Sequence, residues 1–405
     1  MEKRRILFVD DEPYLLHGLQ RTLRGQRDVW DMAFVSDPRQ ALALVEREPI
    51  DVVVSDLRMP GLSGTRLLAE VRRLRPQAVR IMLSGIADQN PGLDALAVTH
   101  QFLAKPCDAG ALKAAVARAL ALRKFLDGDT PLKALVSRLD TLPSLPDQLG
   151  RIIQELDSPD AHAPTVAAIV AADPAMSAKI LHLINSAFFG LPRQVADLNK
   201  AVLLLGLDTI RALVLTAQVF SRFEPLILRT FPVDRLWRHC TAVGSLAQRI
   251  ARAEGGDRAL LDHALTAGLL HDVGKLILMA NLPGRYAEVL ETVRREALPA
   301  TVVERQLLGA AHGETGAYLL GLWGLPEAIV EAVAYHHHPR DCESAGFSAV
   351  TAVHAANALI HELTDGAPAP PPDGLDQACL AALGLEGRVP RWRRLGRMVL
   401  GQPAD

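Results

Sequence analysis

The first third of the chain alternates short runs of β-branched residues with longer amphipathic stretches. Between residue 4 and about residue 126 this alternation is typical of βα units on a parallel sheet. The runs that qualify as strands are residues 6–9, 29–35, 52–55, 79–83 and 102–104. Because the segments between them have helical spacing, the pattern predicts a doubly wound, flavodoxin-like α/β domain with five parallel strands and five helices.

The remainder of the chain shows helical periodicity and no run of alternating strand character. Apolar residues recur at helical spacing and Asp-Pro, Gly-Leu-Pro and Asn-Leu-Pro mark turns, which predicts an all-α helical bundle. A proline-rich stretch at 363–372 predicts an extended break, followed by short helices at 375–383 and 391–398 with Trp392 docked on the bundle. The predicted organisation is an α/β domain at 1–126, a linker at 127–134, an all-α domain at 135–362 and a tail at 363–405.

Composition bears on whether the protein binds nucleic acid, inserts into a membrane or lies in a reducing compartment. The 405 residues are 49% hydrophobic and 22% charged with a net charge of −2, and no basic block could neutralise a run of phosphates, so direct nucleic-acid binding is not expected. The apolar stretches fall short of the ~20 residues that span a bilayer, so no membrane insertion is expected. The charged start MEKRRILFVDDE and scattered cysteines predict a reducing, cytoplasmic location. The cysteines are Cys107, Cys240, Cys342 and Cys379.

Polar side chains follow four of the five predicted strands. Asp10 and Asp11 come after the first strand, Asp56 after the third, Ser84 after the fourth and Lys105 after the fifth. Ligands of such sheets gather beyond the carboxyl ends of the strands, so these side chains should converge. Three neighbouring carboxylates repel one another unless a hard divalent cation such as Mg²⁺ lies among them. The arrangement predicts a phosphoryl-transfer site.

Each residue type has a role in that chemistry. Asp56 would be the nucleophile, Asp10 and Asp11 would hold Mg²⁺, Lys105 would neutralise phosphoryl oxygens and Ser84 would hydrogen-bond the phosphoryl group. Taken singly, an acidic pair is often a helix N-cap and a Lys-Pro is often a loop. Their joint occurrence at successive strand ends favours the phosphoryl-transfer interpretation.

The motifs LFVDDEP, VVVSDLRMPGLSG, MLSG and FLAKP resemble the receiver domain of response regulators over about the first 120 residues. The resemblance implies a bacterial two-component phosphorelay in which a sensor histidine kinase or a small phosphodonor phosphorylates Asp56. It also implies that Phe102 is the aromatic that moves with Ser84 on phosphorylation, and that the backbone carbonyl of Arg58 completes the Mg²⁺ shell. An ordinary core aromatic is the other interpretation of Phe102.

The helical region contains histidines and an aspartate that could bind a divalent metal together. They are His239, His271, Asp272, His312, and the run from His336 to His338. A single histidine in a helical core is more often hydrogen-bonded and structural, and a histidine run can be a solvated face. Their number in one domain favours a shared site.

Several segments of this region together resemble the HDOD domain over roughly residues 135–339. They are LPSLP at 142–146, DPAM at 173–176, NSAFFG at 185–190, the stretch 201–206 and HDVGK at 271–275. HDOD domains share their helical fold with HD phosphohydrolases and are regarded as signalling or interaction modules. The resemblance therefore implies no established enzyme activity, only the self-phosphorylation chemistry of the receiver.

A second resemblance leaves an enzymatic function as the alternative hypothesis. Compared with cyclic-di-GMP phosphodiesterases of HD-GYP type, the ligand-like residues stand in the same order: His239, His271, Asp272, His312, His336, His337 and, in place of a final aspartate, Asn357. The Gly-Tyr-Pro sequence is absent, and a neutral Asn is a weaker ligand than a carboxylate. The main hypothesis is a response regulator whose receiver controls an HDOD interaction domain. The alternative is a receiver-gated phosphodiesterase holding Fe, Mn or Zn, with Lys275 facing the phosphate; the downstream partner and a homodimer stay open.

Overall fold

The computed structural model describes residues 3–85, 95, 98–105, 109–124, 135, 202, 205–207, 209–210, 212–215, 233–342, 346–365 and 374–403. The chain forms two compact units, Met1–Gly150 with Leu320–Leu325, and Arg151–Leu319 with Pro326–Asp405. The predicted linker 127–134 and the segments 142–146, 173–176 and 185–190 lie outside the described residues.

The first unit contains a parallel sheet with the strand order β2-β1-β3-β4-β5. Its strands are β1 (Arg4–Val9), β2 (Trp30–Val35), β3 (Val52–Asp56), β4 (Val79–Gly85) and β5 (Gln101–Lys105). Its described helices are α1 (Pro13–Thr22), α2 (Pro38–Arg47), α3 (Gly64–Leu74) and α4 (Ala109–Lys124), with a 3-10 turn at Arg24–Gln26. The predicted α/β fold with five parallel strands is confirmed; the segment expected to hold the fifth helix, between β4 and β5, lies mostly outside the described residues.

The central strands are apolar because helices cover both faces of a parallel sheet. Val52, Val53 and Val54 of β3 are all buried, and β1 beside it is buried from Ile6 onward. Helix α2 begins after a capping residue: the Asp37 side chain accepts a hydrogen bond from the backbone N–H of Arg39. Because the strands all run in the same direction, the residues that follow them lie at one edge of the sheet.

The second unit is helical throughout its described residues, which confirms the predicted all-α domain. The helices whose bounds are described are α5 (Val233–Ala253), α6 (Arg258–Leu270), α7 (Val273–Asn281), α8 (Pro283–Glu296), α9 (Ala300–Leu308), α10 (His312–Leu322), α11 (Glu327–Tyr335), α12 (Ala349–Asp365), α13 (Gln377–Ala382) and α14 (Val389–Val399), with 3-10 turns at Pro339–Asp341 and Glu386–Arg388. Helix α5 packs against α6 and α12, and α6 also packs against α11. Among the described helices, none has the length and apolar character needed to cross a membrane.

The C-terminal residues pack on this unit. Helix α12 continues to Asp365, so the extended break predicted from residue 363 is wrong for residues 363–365, and residues 366–373 lie outside the described part of the chain. Ile360 is buried and Glu362 is paired with Arg393, and these contacts prolong the helix. Trp392 of α14 is fully buried, and its Nε1 donates a hydrogen bond to Glu254 Oε1 over 2.9 Å. The expected docking of Trp392 is therefore what the structure shows.

Candidate functional site

Three side chains meet at the carboxyl edge of the parallel sheet. Lys105 Nζ lies 2.7 Å from Asp10 Oδ2 and 2.6 Å from Asp56 Oδ1, so one ammonium bridges two carboxylates. Asp11 completes the acidic group, because ligand oxygens of Asp10, Asp11 and Asp56 all lie within 4.8 Å of one another. The four charged residues predicted from the strand ends, Asp10, Asp11, Asp56 and Lys105, are thus brought together.

The backbone around Asp56 explains this placement. Asp56 ends β3 in register with Leu83 of β4, and Leu57 N donates to Leu83 O over 3.1 Å. Helix α3 then starts directly against the strand end: a Cβ on Gly64 would lie 1.9 Å from the Asp56 carbonyl oxygen. Only glycine permits so close an approach. On the other side, Asp10 Oδ1 accepts a hydrogen bond from Glu12 N over 3.0 Å, which orients that carboxylate.

In this group of side chains, three carboxylates face the single ammonium of Lys105. Burial raises the pKa of Asp56 above its ordinary value, although the hydrogen bond from Lys105 works in the opposite direction. Burial alone would lower the pKa of Lys105, but Asp10 and Asp56 raise it, so the ammonium stays charged. A divalent cation held by Asp10, Asp11 and Asp56 would supply the missing positive charge, and the all-oxygen donor set fits Mg²⁺.

For the remaining predicted residues of this site, the structure gives the position in the fold. Ser84 is nearly buried and pairs with Ala104, one position before the pair of Gly85 with Lys105. Phe102 lies on β5 opposite Met82, and its side chain is outside the described residues. Arg58 is exposed two residues after β3, and metal binding by its carbonyl stays a prediction.

The helical unit brings its histidines together from several helices. His239 lies on α5, His271 and Asp272 join α6 to α7, His312 begins α10, His336 and His337 follow α11, and Asn357 lies on α12. The residues fall into two groups of candidate ligands, His239 with His271 and Asp272, and His312 with His336 and His337. Within each group the ligand atoms lie within 4.8 Å of one another.

The two groups adjoin each other. The rings of His271 and His336 have centroids 5.0 Å apart, and His312 Nε2 lies 3.1 Å from Asp272 Oδ1. A glycine permits this approach, since a Cβ on Gly274 would lie 1.9 Å from the His312 carbonyl oxygen. The glycine of the HDVGK motif therefore brings the start of α7 against the start of α10.

Two of the rings are oriented by backbone carbonyls. His271 Nδ1 donates to Gly268 O over 2.7 Å, and His336 Nδ1 donates to Val333 O over 2.8 Å. The opposite nitrogen of each ring, Nε2, then carries a lone pair, and in both residues it is buried without a hydrogen-bond partner within the described part of the chain. Fixing one nitrogen so that the other faces a metal is the usual support of a histidine ligand, and the donor set fits a transition metal.

Charge at the centre is balanced by its own residues. Burial would raise the pKa of Asp272, but the Lys275 ammonium, 2.7 Å away, and the neighbouring histidines hold it well below its ordinary value. Burial lowers the pKa of His271 to about 4. His312 is the exception: burial would lower its pKa, but the Glu304 carboxylate and Asp272 raise it to about 9.

Two contributors to the centre were missed from the sequence, Glu304 and His361. Glu304 is fully buried, and its Oε2 accepts a hydrogen bond from His312 Nδ1 over 2.7 Å. His361 lies one helical turn after Asn357, and its ring centroid is 4.5 Å from that of His239. That spacing of four residues on α12 is a signal the sequence carried. Asn357 Oδ1 accepts a hydrogen bond from His239 Nε2 over 3.0 Å.

Comparison with known proteins agrees with both units. The response regulator receiver domain family matches residues 6–117, and the HDOD domain family matches residues 142–339. An HDOD domain protein from Geobacter sulfurreducens has a solved structure similar to this chain, with a TM-score of 0.53 and 27% identity, covering 68% of this chain and 89% of that one.

Two curated relatives are similar over part of their length. An uncharacterized protein of Treponema pallidum is 28% identical over 207 residues, 51% of this chain and 39% of its own length. The response regulator protein PilR of Pseudomonas aeruginosa is 32% identical over 155 residues, 38% of this chain and 34% of its own length. The chain thus spans little more than a third of the length of these relatives.

Proposed function

Because the chain combines a response regulator receiver domain with an HDOD domain, we propose that it is a phosphorylation-controlled signalling protein in which Asp56 accepts a phosphoryl group. The observation that carries the proposal is the contact of Lys105 Nζ with both Asp10 and Asp56 at the carboxyl edge of the sheet. The phosphodonor would be a sensor histidine kinase or a small phosphorylated molecule. A cytoplasmic location remains part of this proposal.

The residues of the receiver divide the reaction among them. A carboxylate oxygen of Asp56 forms a bond to phosphorus while the bond from phosphorus to the donor breaks. Lys105 neutralises oxygen charge on the phosphoryl group, and the Ser84 hydroxyl donates a hydrogen bond to it. Mg²⁺, held by Asp10, Asp11 and Asp56 with the Arg58 carbonyl, supplies charge stabilisation when bound. Phe102 would follow Ser84 as the switch aromatic.

The HDOD domain is the proposed output. Phosphorylation replaces the single negative charge of the Asp56 carboxylate with a phosphoryl group carrying about −1.5 to −2 charge, and this change at the edge of the sheet biases the receiver between two arrangements. The helical domain would respond by changing a contact with a further signalling protein or with a second copy of the chain. Hydrogen exchange after phosphodonor treatment tests that response, since protection unchanged throughout the HDOD domain would contradict it.

The phosphoacceptor can be tested with one matched pair of variants. We expect a small phosphodonor with Mg²⁺ to add the mass of one phosphoryl group to the protein and to Asp51→Asn, but not to Asp56→Asn. Asp51 is the control because it immediately precedes β3, at the strand end opposite Asp56. Undiminished phosphorylation of Asp56→Asn would refute the assignment.

A second candidate function is metal-dependent phosphoester hydrolysis in the HDOD domain. The buried Nε2 atoms of His271 and His336, which lack hydrogen-bond partners among the described residues, favour it. A bound transition metal would supply Lewis acidity and lower the pKa of a water molecule. His239, Asp272, His312 and His337 would complete the donors, with Lys275 available to an anionic substrate. Asn357 weakens this candidate because it brings no charge.

Metal content separates the two candidates. If the centre binds metal, elemental mass spectrometry of purified protein should find Fe, Mn or Zn in the wild type and in His263→Ala, and a loss in His271→Ala. His263 is the control because it lies on α6, which ends immediately before His271, but outside the ligand groups. Protein that stays metal-free after incubation with these ions and inert towards cyclic-di-GMP would end this candidate.

A further inference from the structure

A buried carboxylate lies behind one of the candidate metal ligands. Glu304 of α9 is fully buried, and its Oε2 accepts hydrogen bonds from both the backbone N and the ring Nδ1 of His312, over 2.8 and 2.7 Å. Its Oε1 accepts a hydrogen bond from the hydroxyl of Tyr286 on α8 over 2.8 Å. Both carboxylate oxygens are therefore fixed by residues of the same domain.

This support differs in kind from that of the neighbouring rings. His271 and His336 donate to backbone carbonyls, which carry only partial charge, whereas His312 donates to a full carboxylate. A carboxylate behind an imidazole makes the opposite nitrogen a stronger electron donor to a metal. That nitrogen, His312 Nε2, points into the centre and lies 3.1 Å from His337 Nε2.

The two ligand groups also differ in charge. The group of His239 and His271 includes the carboxylate of Asp272, but the group of His312, His336 and His337 contains only imidazoles. Three neutral rings give a divalent ion no negative charge of their own, which is unfavourable in a low-dielectric interior. Of the two carboxylates that contact His312, Asp272 is already paired with Lys275, whereas Glu304 lies directly behind the His312 ring.

We propose that Glu304 supplies this missing charge through His312 and is thereby a positioning residue for a transition metal bound by the all-histidine group. The inference rests on the second candidate function, in which the histidine centre binds metal. It assigns to α9, which carries none of the proposed ligands, a direct influence on metal affinity.

A purely structural role for Glu304 makes a different prediction. The carboxylate also satisfies the backbone N–H of His312 at the start of α10, as a helix cap does. A glutamine at position 304 can accept both His312 hydrogen bonds through its amide oxygen but carries no charge. Its amide NH2 group would replace only the oxygen that accepts from the Tyr286 hydroxyl, and Tyr286→Phe removes that same hydrogen bond. If Glu304 only caps the helix, Glu304→Gln should bind metal as the wild type does.

The decisive experiment is titration of metal-stripped full-length protein with Zn²⁺ against a competing chelator. We expect Glu304→Gln to weaken the affinity of one metal equivalent by about 10- to 100-fold. Tyr286→Phe, the matched control, removes one hydrogen bond from the same carboxylate but leaves its charge, so its affinity should stay close to that of the wild type. Equal affinities of the wild type and Glu304→Gln would overturn the inference, and so would equal losses in both variants.

Failure of the metal centre itself gives a different result. A wild type that binds no Zn²⁺ would remove the second candidate function and this inference together, whereas metal-binding variants with unaltered affinity would remove the inference alone. If Glu304→Gln does not fold, nitrogen NMR of the wild-type histidines with Zn²⁺ decides. His312 should keep its Nδ1 proton and bind through Nε2, and coordination through Nδ1 would overturn the proposal.

Discussion

Acidification of the metal-free protein should destabilise the helical unit. Burial lowers the pKa values of four histidines in the centre below their ordinary value of about 6.5, and that of His271 falls to about 4. The other three are His239, His336 and His337. In the unfolded chain these rings take up protons near pH 6.5, but in the folded state they remain neutral. Their contribution to stability is therefore complete above about pH 6.5 and is lost as the pH falls towards the folded pKa values.

The size of the effect follows from proton linkage. Each ring that is protonated only in the unfolded state costs about 1.4 kcal/mol per pH unit. Four such rings would give a slope of about 5.5 kcal/mol per pH unit, comparable with the ~5 to 15 kcal/mol of a whole domain. His312 acts in the opposite sense, because its pKa is raised to about 9; its contribution is complete below about pH 6.5 and is lost as the pH rises through 9. Acid unfolding near pH 5 to 6 is the expected outcome.

Urea denaturation in the presence of a chelator, followed by circular dichroism between pH 7.5 and 5, measures this slope. His271→Asn is the informative variant, since it removes one titrating ring and should reduce the slope by about 1.4 kcal/mol per pH unit. A free energy of unfolding that is independent of pH over this range would refute the reasoning, because it would mean that the rings titrate alike in both states.

Two further predictions concern packing. Gly64→Ala places a Cβ 1.9 Å from the Asp56 carbonyl oxygen and should cost about 1 to 3 kcal/mol and slow phosphorylation, whereas Gly18→Ala, in open space, should do neither; denaturation and phosphodonor kinetics measure both. Trp392→Ala should destabilise the helical unit by about 3 to 5 kcal/mol in thermal denaturation, while Met398→Ala on the same helix, at a residue 52% exposed, should stay within about 0.5 kcal/mol.

The α/β unit was largely predictable because its signals are local. Runs such as 52–55 are apolar on both faces of the strand, so their burial and the polar residue that follows each run could be read along the chain. The lateral order of the strands in the sheet could not be predicted in this way. Placing β1 between β2 and β3 is what sets Asp10 beside Asp56, and that order depends on contacts between residues distant in sequence.

At the histidine centre the candidate ligands were predicted, but not the residues that support them. Glu304 stands in the ordinary helical sequence ATVVERQLL, where a glutamate is normally exposed. Its burial arises because α8 and α9 pack together, which brings the Tyr286 hydroxyl to it, and because α10 begins against it. The sequence carries no local sign of these tertiary contacts.

The two candidate metal centres differ in whether their side-chain charges balance without a metal ion. At the sheet edge one ammonium faces three carboxylates, so a cation is needed to balance the charge. In the histidine centre Asp272 is paired with Lys275 and Glu304 with His312, so the buried charges already balance in pairs.

Asn357 fits this balance. It accepts a hydrogen bond from His239 without bringing a charge, whereas a carboxylate there would add a third buried anion to a centre with two cationic partners. An unpaired buried charge costs several kcal/mol, so an amide rather than a carboxylate at this position favours a centre that keeps its fold when empty. A domain of this kind can transmit a signal through protein contacts whether or not metal is present, which is why we place the interaction role of the HDOD domain before hydrolysis.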